Sequence, residues 1–186
     1  MVINNGIYFL FWVLFFERFQ KVRGWVLDDM WLMFGLVATS FGLTTYLFGN
    51  VLSLADVITG GRLDYYLSLP RPVLLHVLAS HSRTSGLGDV AYGLLSFAIA
   101  GRSSPDVLAR FALATLLSAA VFMSFLILVQ SLTFWTGSAA LLTAQAVNAI
   151  VTFAIYPITL FDGTAKFLLF TLLPAAFVGA LPVEFV

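Results

Sequence analysis

The chain has 186 residues, of which 61% are hydrophobic and only 10% are charged, and its mean hydropathy is +1.01. Soluble domains carry about 45–50% apolar and about 25% charged residues, so this composition is that of a chain solvated largely by lipid. Nine Lys and Arg balance nine Asp and Glu, so no surplus of positive charge is available to bind a nucleic-acid backbone. The absence of cysteine excludes disulfides and thiolate metal sites, and the two histidines lack the neighbouring carboxylates that a zinc site needs. We therefore expect no cofactor, no metal ion and no nucleic-acid partner.

Uncharged apolar runs mark the predicted membrane spans, because a helix needs about 20 apolar residues to cross about 30 Å of hydrocarbon. Residues 111–161 carry no charge, and a single helix of that length would be about 76 Å long, so the chain must reverse within them. We place the reversal at residues 130–137 (QSLTFWTG), where polar residues and a glycine interrupt the apolar pattern. The spacing predicts helices rather than barrel strands, since alternating strands of roughly ten residues are absent. Five spans follow, at residues 2–16, 31–55, 87–101, 107–130 and 134–157.

The last apolar stretch, residues 166–183, contains Pro174 and Pro182, which predict a kinked, broken or interfacial segment rather than a straight sixth span. The expected fold class is therefore all-α, a polytopic membrane helix bundle that forms a single domain over residues 1–186. No signal peptide is expected, because the first segment lacks a preceding basic region and a following cleavage site of small residues. Apolar segments at both ends of the chain predict a sequence that is shortened at both ends.

A long polar connection, residues 56–86, separates the second and third predicted spans. Two glycines end the preceding helix and two prolines stop a short new one, and these are Gly60, Gly61, Pro70 and Pro72. Leu63, Tyr66 and Leu67 lie between them at i, i+3 and i+4, so they share one face of a small amphipathic helix at the membrane surface. From this periodicity alone, a plain interfacial connector is the leading interpretation.

Three stretches carry a further pattern in a fixed order. The first is ITGGRLDYYLSLPRPVLLHVLA, with a Gly-basic-Leu-Asp core and a Leu-x-x-Pro; the second is LTFWTGSA, with a Phe-Trp turn. The third begins FAIYPITLFDGT and ends PAAFVGALPVEFV, with a Tyr-Pro and a Pro-Ala-x-Phe-Val. Together they resemble the signature of exporter-type (type 2) ABC transporter permeases of the daunorubicin-resistance-like subfamily. The resemblance covers most of residues 58–186.

This resemblance implies a six-span half-transporter in the cell membrane, with both termini in the cytoplasm. The implied partners are a separate ABC ATP-binding subunit and a second permease of the same or a related type. The connection between spans two and three would be cytoplasmic and would contact the ATP-binding subunit, although a count of positive residues alone would place this loop outside. The positions that match the contact motif are Gly61, Arg62, Leu63, Asp64, Leu67 and Pro70. A cytoplasmic segment before span one and a final span after Val186 would be missing.

The chain is not expected to be an enzyme. A phosphate-binding loop needs Gly-x-x-x-x-Gly-Lys-Ser/Thr, and neither lysine, Lys21 or Lys166, stands in such a sequence. ATP would therefore be hydrolysed by the partner, and an unidentified substrate would be exported. Within the fifth span Gln145, Asn148 and Thr152 follow i, i+3 and i+7 on one face, where they either join helices by hydrogen bonds or line a translocation path.

Aromatic and ionisable residues outside these motifs have simple interpretations. Tyr8, Trp12, Trp25 and Trp31 are typical of an aromatic belt at the membrane interface. Arg110 is expected to snorkel to the interface at the start of the fourth span. His76 and His81 are expected on the solvated connection.

Two other function classes stay open. Residues 86–89 spell Gly-Leu-Gly-Asp, which resembles the Gly-x-Gly-Asp motif of intramembrane aspartyl proteases. Those enzymes need a second carboxylate on a neighbouring helix, and no other predicted span has a central Asp or Glu, so Asp89 is more simply an interfacial acid at the entrance of span three. The other class is a passive structural or channel-like membrane subunit, which would tolerate charge reversal at Arg62 and Asp64.

Overall fold

The computed structural model of the chain describes residues 2–102 and 104–186, and these residues form helices and turns without a β-strand. Short 3₁₀ turns lie at Gly49–Leu52 and Ile158–Leu160. In chain order the helices are α1 (Val2–Arg18), α2 (Leu27–Leu47), α3 (Leu54–Thr59), α4 (Leu63–Leu67), α5 (Val73–Ala79), α6 (Ser85–Ile99), α7 (Pro105–Ser131), α8 (Thr133–Thr136), α9 (Ala140–Ala154), α10 (Gly163–Thr171), α11 (Ala175–Val178) and α12 (Ala180–Phe185). The predicted all-α fold class is confirmed.

Two of the described helices are long and apolar enough to cross a membrane, namely α2 and the continuous stretch of α7 and α8 from Pro105 to Thr136. Helices α6 and α9 are apolar but have 15 residues each. Each is therefore about 22 Å long, which is shorter than a hydrocarbon core of about 30 Å. Helix α10 and the α11–α12 pair meet at 64° and would count as a third span if taken together. The helical membrane bundle is confirmed, whereas the number of five spans stays a prediction.

The second span was predicted at the wrong residues. Helix α2 begins at Leu27, four residues before the predicted start, and ends at Leu47 rather than at residue 55. Its first turn contains Asp28 and Asp29, whose negative charges stabilise the helix start beside the positive end of the helix dipole. At Phe48 the backbone leaves the helical region, so the connecting segment of the structure runs over residues 48–84.

The chain reversal after α7 lies at the end of the predicted stretch. Residues 130–136 stay helical, and the turn is made at Gly137, whose φ of +80° lies in the left-handed region that glycine adopts without a steric penalty. Helix α9 consequently begins at Ala140 rather than at residue 134. The predicted reversal is thus correct in its segment and displaced toward Gly137.

A close antiparallel approach of α2 and α6 forms the centre of the bundle. A Cβ atom added to Gly35 would lie 2.9 Å from the carbonyl oxygen of Gly93, and one added to Gly42 would lie 2.6 Å from that of Gly86. Helices in lipid associate through such small residues, because their backbones can then make close van der Waals contact. Helices α2 and α6 therefore form a tightly packed hairpin, and the connecting segment 48–84 joins their ends.

Helix α7 packs along this hairpin through polar as well as apolar groups. The Ser40 and Thr44 hydroxyl oxygens of α2 lie 3.2 and 3.4 Å from the carbonyl oxygens of Thr115 and Ala119 on α7. Large apolar side chains such as Phe122 and Leu126 fill the remaining contact and are buried. Helix α9 packs against α7, which completes the main bundle.

The C-terminal helices enter the bundle and return to the same end. Asp162, just before α10, pairs with Arg23 of the α1–α2 turn at 3.2 Å, and Phe185 of α12 lies 6.0 Å from the Arg110 guanidinium near the start of α7. The α1–α2 turn and the α6–α7 turn share one end of the bundle, because Arg102 pairs with Asp29. We call this end the far end, and the opposite end, at residues 48–84, the connector end. The predicted kinked or broken C-terminal segment is confirmed.

Candidate functional site

The connecting segment 48–84 folds into a small helical unit with a core of its own. Helices α3, α4 and α5 contribute apolar side chains to a small cluster that is separate from the core of the main bundle. The buried members are Leu54, Val57 and Val77, with Ile58, Leu63, Tyr66 and Val73 packed against them. The unit therefore presents α4 on a defined support rather than as a loose loop.

The outer face of α4 is exposed. The turn before it is made at Gly61, where φ is +66°, and α4 then runs for five residues. Leu63 and Tyr66 face the small core, but Leu67 is 60% exposed and neighbouring Tyr65 is 64% exposed. Of the three residues predicted on one face of this helix, Leu63 and Tyr66 therefore pack on the small core, whereas Leu67, the last residue of the helix, does not.

The predicted contact positions fall on this open surface with one exception. Leu63 is half-buried in the small core, and the other five are exposed: Gly61, Arg62, Asp64, Leu67 and Pro70. Among the described residues the ion pairs are Arg23–Asp162, Arg102–Asp29 and Arg110–Asp106, all away from α4. The charges of Arg62, directly before α4, and of Asp64 within it are therefore open to an external partner.

Polar contacts tie α4 to the rest of the connecting segment. The Tyr66 hydroxyl donates to Ser80 Oγ at 2.9 Å, and Asn50 Nδ2 donates to the same oxygen at 2.7 Å and to the Val77 carbonyl at 2.9 Å. The Tyr66 ring also packs edge-on against half-buried His76, with 5.3 Å between centroids. Predicted to be solvated, His76 is thus partly enclosed, and His81 is exposed as expected.

Arg83 fixes the end of the segment to its beginning. Its side chain donates to the Gly49 carbonyl at 3.3 Å and to Ser53 Oγ at 2.7 Å, while its backbone N–H donates to the Thr45 carbonyl at 3.1 Å. These bonds close the segment at the root of the α2–α6 hairpin. No local sequence pattern identifies this role, since Ser53 and Gly49 are 30 and 34 residues away from Arg83 in the chain.

Gln130, in the last turn of α7, is the other residue whose contacts sequence reasoning missed. Its side chain is fully buried and its amide bonds to the backbone of Val51 and Ala55. The sequence signal that could have identified it is a glutamine at the end of a long apolar run, because a polar side chain that is buried there needs a hydrogen-bond partner. In the sequence, Gln130 was notable only as the first residue of the predicted chain reversal.

A cavity of 330 Å³ lies between α1, α2, α6 and α9. Its apolar wall includes Phe34 and Phe41. Its polar side chains are Asn4, Asn5, Tyr8, Asp89, Tyr92, Asn148 and Thr152. Of the three residues predicted on the polar face of α9, Asn148 and Thr152 therefore meet in the cavity, and Gln145 is exposed outside its lining.

Asp89 lies in the wall of this cavity and is only 5% exposed. The Asn5 side-chain amide donates to Asp89 Oδ1 at 2.9 Å, so α1 and α6 meet at this carboxyl group. The prediction of an interfacial acid was wrong, because α1 covers the entrance of α6. Within the described lining Asp89 is the one carboxylate, so the paired acids of an aspartyl protease are not assembled here.

The aromatic belt was also predicted wrongly for the tryptophans. Trp12 and Trp25 are 4% and 6% exposed, and Trp31 stacks on Phe9 at 3.6 Å between centroids. They lie inside the protein because the aromatic face of α1 packs on α2 and on residues after α9. Tyr8 alone is largely exposed, at 64%.

Arg110 is partly exposed, as the snorkelling prediction requires, and it pairs with Asp106 at 2.9 Å.

Across the described part of the chain, no group of three or more His, Asp or Glu side chains is placed to hold a metal ion.

A family model described as ABC-2 family transporter protein matches residues 2–186. No curated protein and no solved structure matches the chain. The matched range includes the connecting segment, the residues that line the cavity and the C-terminal helices.

Proposed function

The chain belongs to the ABC-2 transporter family, and from this premise we propose that it is the permease subunit of an ABC exporter in the cell membrane. A separate ATP-binding subunit hydrolyses the ATP, and a second permease of the same or a related type completes the pathway. The substrate crosses the membrane between the helices. The domain is a single one over residues 1–186, with residues 56–86 in the cytoplasm.

The exposed face of α4 is the observation that carries this proposal. Arg62 and Asp64 offer unpaired charges of both signs, and Tyr65 and Leu67 offer apolar surface beside them. Aromatic side chains and arginine are enriched at protein interfaces, where a buried apolar centre is surrounded by polar contacts. We assign the face to the ATP-binding subunit, with Gly61, Leu63 and Pro70 shaping and supporting it.

The sequence supports a separate subunit as the site of ATP hydrolysis. The chain has two lysines, and neither stands in a phosphate-binding loop. Closure of the ATP-binding subunits would therefore act on the permease as a mechanical displacement of α4. Because the small core holds α4 to α3 and α5, the connecting segment would move as one body.

The cavity supports a translocation path along α9. Asn148 and Thr152 contribute hydrogen-bonding groups from α9 to the cavity, and Asp89 with its partner Asn5 contributes further polar groups from α6 and α1. Gln145 extends the polar face of α9 by one turn toward the connector end. Polar side chains in membrane helices line cavities or join helices, and the position of Asn148 and Thr152 in the cavity lining supports the first role for them.

Co-purification in mild detergent with the ATP-binding subunit, both expressed in the same cells, tests the proposal. The double variant Arg62→Glu/Leu67→Arg should lose the ATP-binding subunit while the permease still purifies as a folded protein. A matched control, Arg71→Glu/Leu75→Arg, makes the same chemical changes on exposed residues of the same segment outside α4, and it should retain the subunit.

The two pairs separate the function classes. Equal retention of the ATP-binding subunit in both double variants would contradict docking through α4. If the unmodified chain captured no ATP-binding subunit, the permease proposal itself would be wrong, and a passive membrane subunit would be the better description.

A further inference from the structure

The side chain of Gln130 forms a buried polar junction between α7 and the connecting segment. Its Nε2 donates to the Val51 carbonyl, and its Oε1 accepts from the Ala55 N–H at 2.7 Å. The residue is 0% exposed. Both ends of the amide are thus engaged, which fixes its orientation and its distance from the backbone it contacts.

The two groups that Gln130 bonds are ones that helices leave unpaired. Val51 lies in the 3₁₀ turn, and Ala55 is the second residue of α3, so its N–H precedes the first partner that α3 can supply. Gln130 therefore caps the break between these two elements from another helix. Gln130 follows Ala55 by 75 residues in the chain, so this cap links the position of α7 to the position of α3.

This junction differs in kind from the other contacts that α7 makes nearby. Leu126, one turn earlier, is buried among apolar side chains, which can slide past one another at small cost. Hydrogen bonds weaken steeply when their distance or angle changes, so Gln130 fixes the register between α7 and the connecting segment.

The elements on both sides of the junction are stiff. On one side, α3 shares a core with α4 and α5, and Tyr66 is bonded to Ser80. On the other, α7 runs unbroken from Pro105 to the junction, and Arg110 near its start lies beside Phe185 of the C-terminal helices. A displacement at α4 therefore has a continuous route to the far end of the bundle.

We propose that Gln130 is a positioning residue that transmits displacement of α4 to α7. This inference rests on the proposed function, since it requires an ATP-binding subunit at α4. The side chain would act by holding Val51 and Ala55, without touching substrate or nucleotide. Loss of its two hydrogen bonds would leave the subunit bound and α7 unmoved.

The test measures helix movement directly in the purified complex with the ATP-binding subunit. Because the chain has no cysteine, two introduced cysteines can be spin-labelled on the purified chain without a background, before the ATP-binding subunit is added. Leu94→Cys on α6 and Leu116→Cys on α7 are both exposed positions. Leu75→Cys, at an exposed position of α5 outside the docking face, replaces the α7 label to report on the connecting segment, because α5 shares the small core with α4. Distances are compared without nucleotide and with ADP and vanadate.

The key variant is Gln130→Met, which retains the length of the side chain and removes both hydrogen bonds. With nucleotide, the Leu94–Leu116 distance should change in the unmodified protein and stay constant in Gln130→Met, while the Leu94–Leu75 distance changes in both. Ser131→Ala is the matched control, because the Ser131 hydroxyl bonds only within α7, to the Leu128 carbonyl, and it should behave like the unmodified protein.

An equal α7 displacement in Gln130→Met would overturn the inference, as would an unmodified complex in which α7 does not move with nucleotide. If Gln130→Met does not assemble, Gln130→Leu is measured instead, since it also removes both hydrogen bonds; a full displacement of α7 there would also overturn the inference. Failure of the unmodified chain to bind the ATP-binding subunit would instead contradict the proposed function.

Discussion

Gly42 illustrates how a single missing methyl group determines the distance between two helices. Its added Cβ would lie 2.6 Å from the Gly86 carbonyl oxygen and 2.8 Å from the Val90 backbone nitrogen, and backbone atoms cannot rotate away. Gly42→Ala should therefore force α2 and α6 apart and lower stability by about 1–3 kcal/mol, as overpacking does. Thermal unfolding in detergent measures this effect.

Gly6→Ala is the matched control, since a Cβ there meets nothing within 4 Å. Alanine favours a helix over glycine by up to about 1 kcal/mol, so this variant should melt at the same temperature or slightly higher. Equal melting temperatures for the two variants would contradict the close approach of α2 and α6.

The Tyr66 hydroxyl has a measurable role at the same scale. Tyr66→Phe removes the donor to Ser80 Oγ but retains the ring that packs on His76. Such a hydrogen bond contributes about 0.5–1.5 kcal/mol, and this one is near the low end because it is partly exposed. Hydrogen exchange should become faster in α4 and α5. Tyr65→Phe, at a 64% exposed position, should leave exchange unchanged.

At the scale of elements, the C-terminal helices make a prediction about membrane sidedness. Because α10 starts beside Arg23 and α12 ends beside Arg110, both ends of the segment should be accessible from one side of the membrane. Single cysteines at Thr164 and Glu184, both exposed, should react with a membrane-impermeant maleimide from the same side. Reaction from opposite sides would mean that α10–α12 crosses the membrane.

Local signals in the sequence were sufficient for some elements and not for others. The turn at Gly61 and the stop before Pro70 were predicted, because conformational restriction by glycine and proline depends on the residue itself. The end of α2 at Leu47 was not, since the apolar pattern continues to residue 55 and the break is made by contacts with residues beyond 80.

The candidate sites show the same division. Exposed contact positions on α4 could be read from a motif, whereas the burial of Asp89 depends on Asn5, which is 84 residues away. The contacts of Gln130 were the hardest to predict, because its partners are 75 and 79 residues away. They are also backbone groups, which do not depend on the type of residue that carries them. Side-chain periodicity cannot identify a partner of this kind.

At the scale of the whole molecule, the positive charges divide unequally between the two ends. Arg62, Arg71 and Arg83 lie in the connecting segment, and the other six Lys and Arg residues lie toward the far end. A count of positive residues therefore favours a cytoplasmic far end, whereas docking at α4 requires a cytoplasmic connector end. The two expectations give opposite results in one experiment.

Labelling of Leu75→Cys, at an exposed position of the connecting segment outside α4, decides between them in intact cells. The docking proposal predicts that an impermeant maleimide reacts with this cysteine only after the membrane is permeabilised. Reaction in intact cells would contradict docking of the ATP-binding subunit at α4 and would leave the charge count as the better guide.

The locked pairing of α2 with α6 also has a consequence for the surrounding lipid. Gly35 with Gly93 and Gly42 with Gly86 place the last turn of α2, residues 44–47, beside the non-helical residues 81–84. The two helices therefore lie side by side only over the length of α6, about 22 Å. This length is shorter than the thickness of an ordinary hydrocarbon core, about 30 Å. Neither helix can slide to compensate, so the bilayer must thin around them or the hairpin must tilt. In vesicles of single-lipid composition, shorter acyl chains should accordingly raise the unfolding temperature, which makes membrane thickness a condition for the stability of this protein.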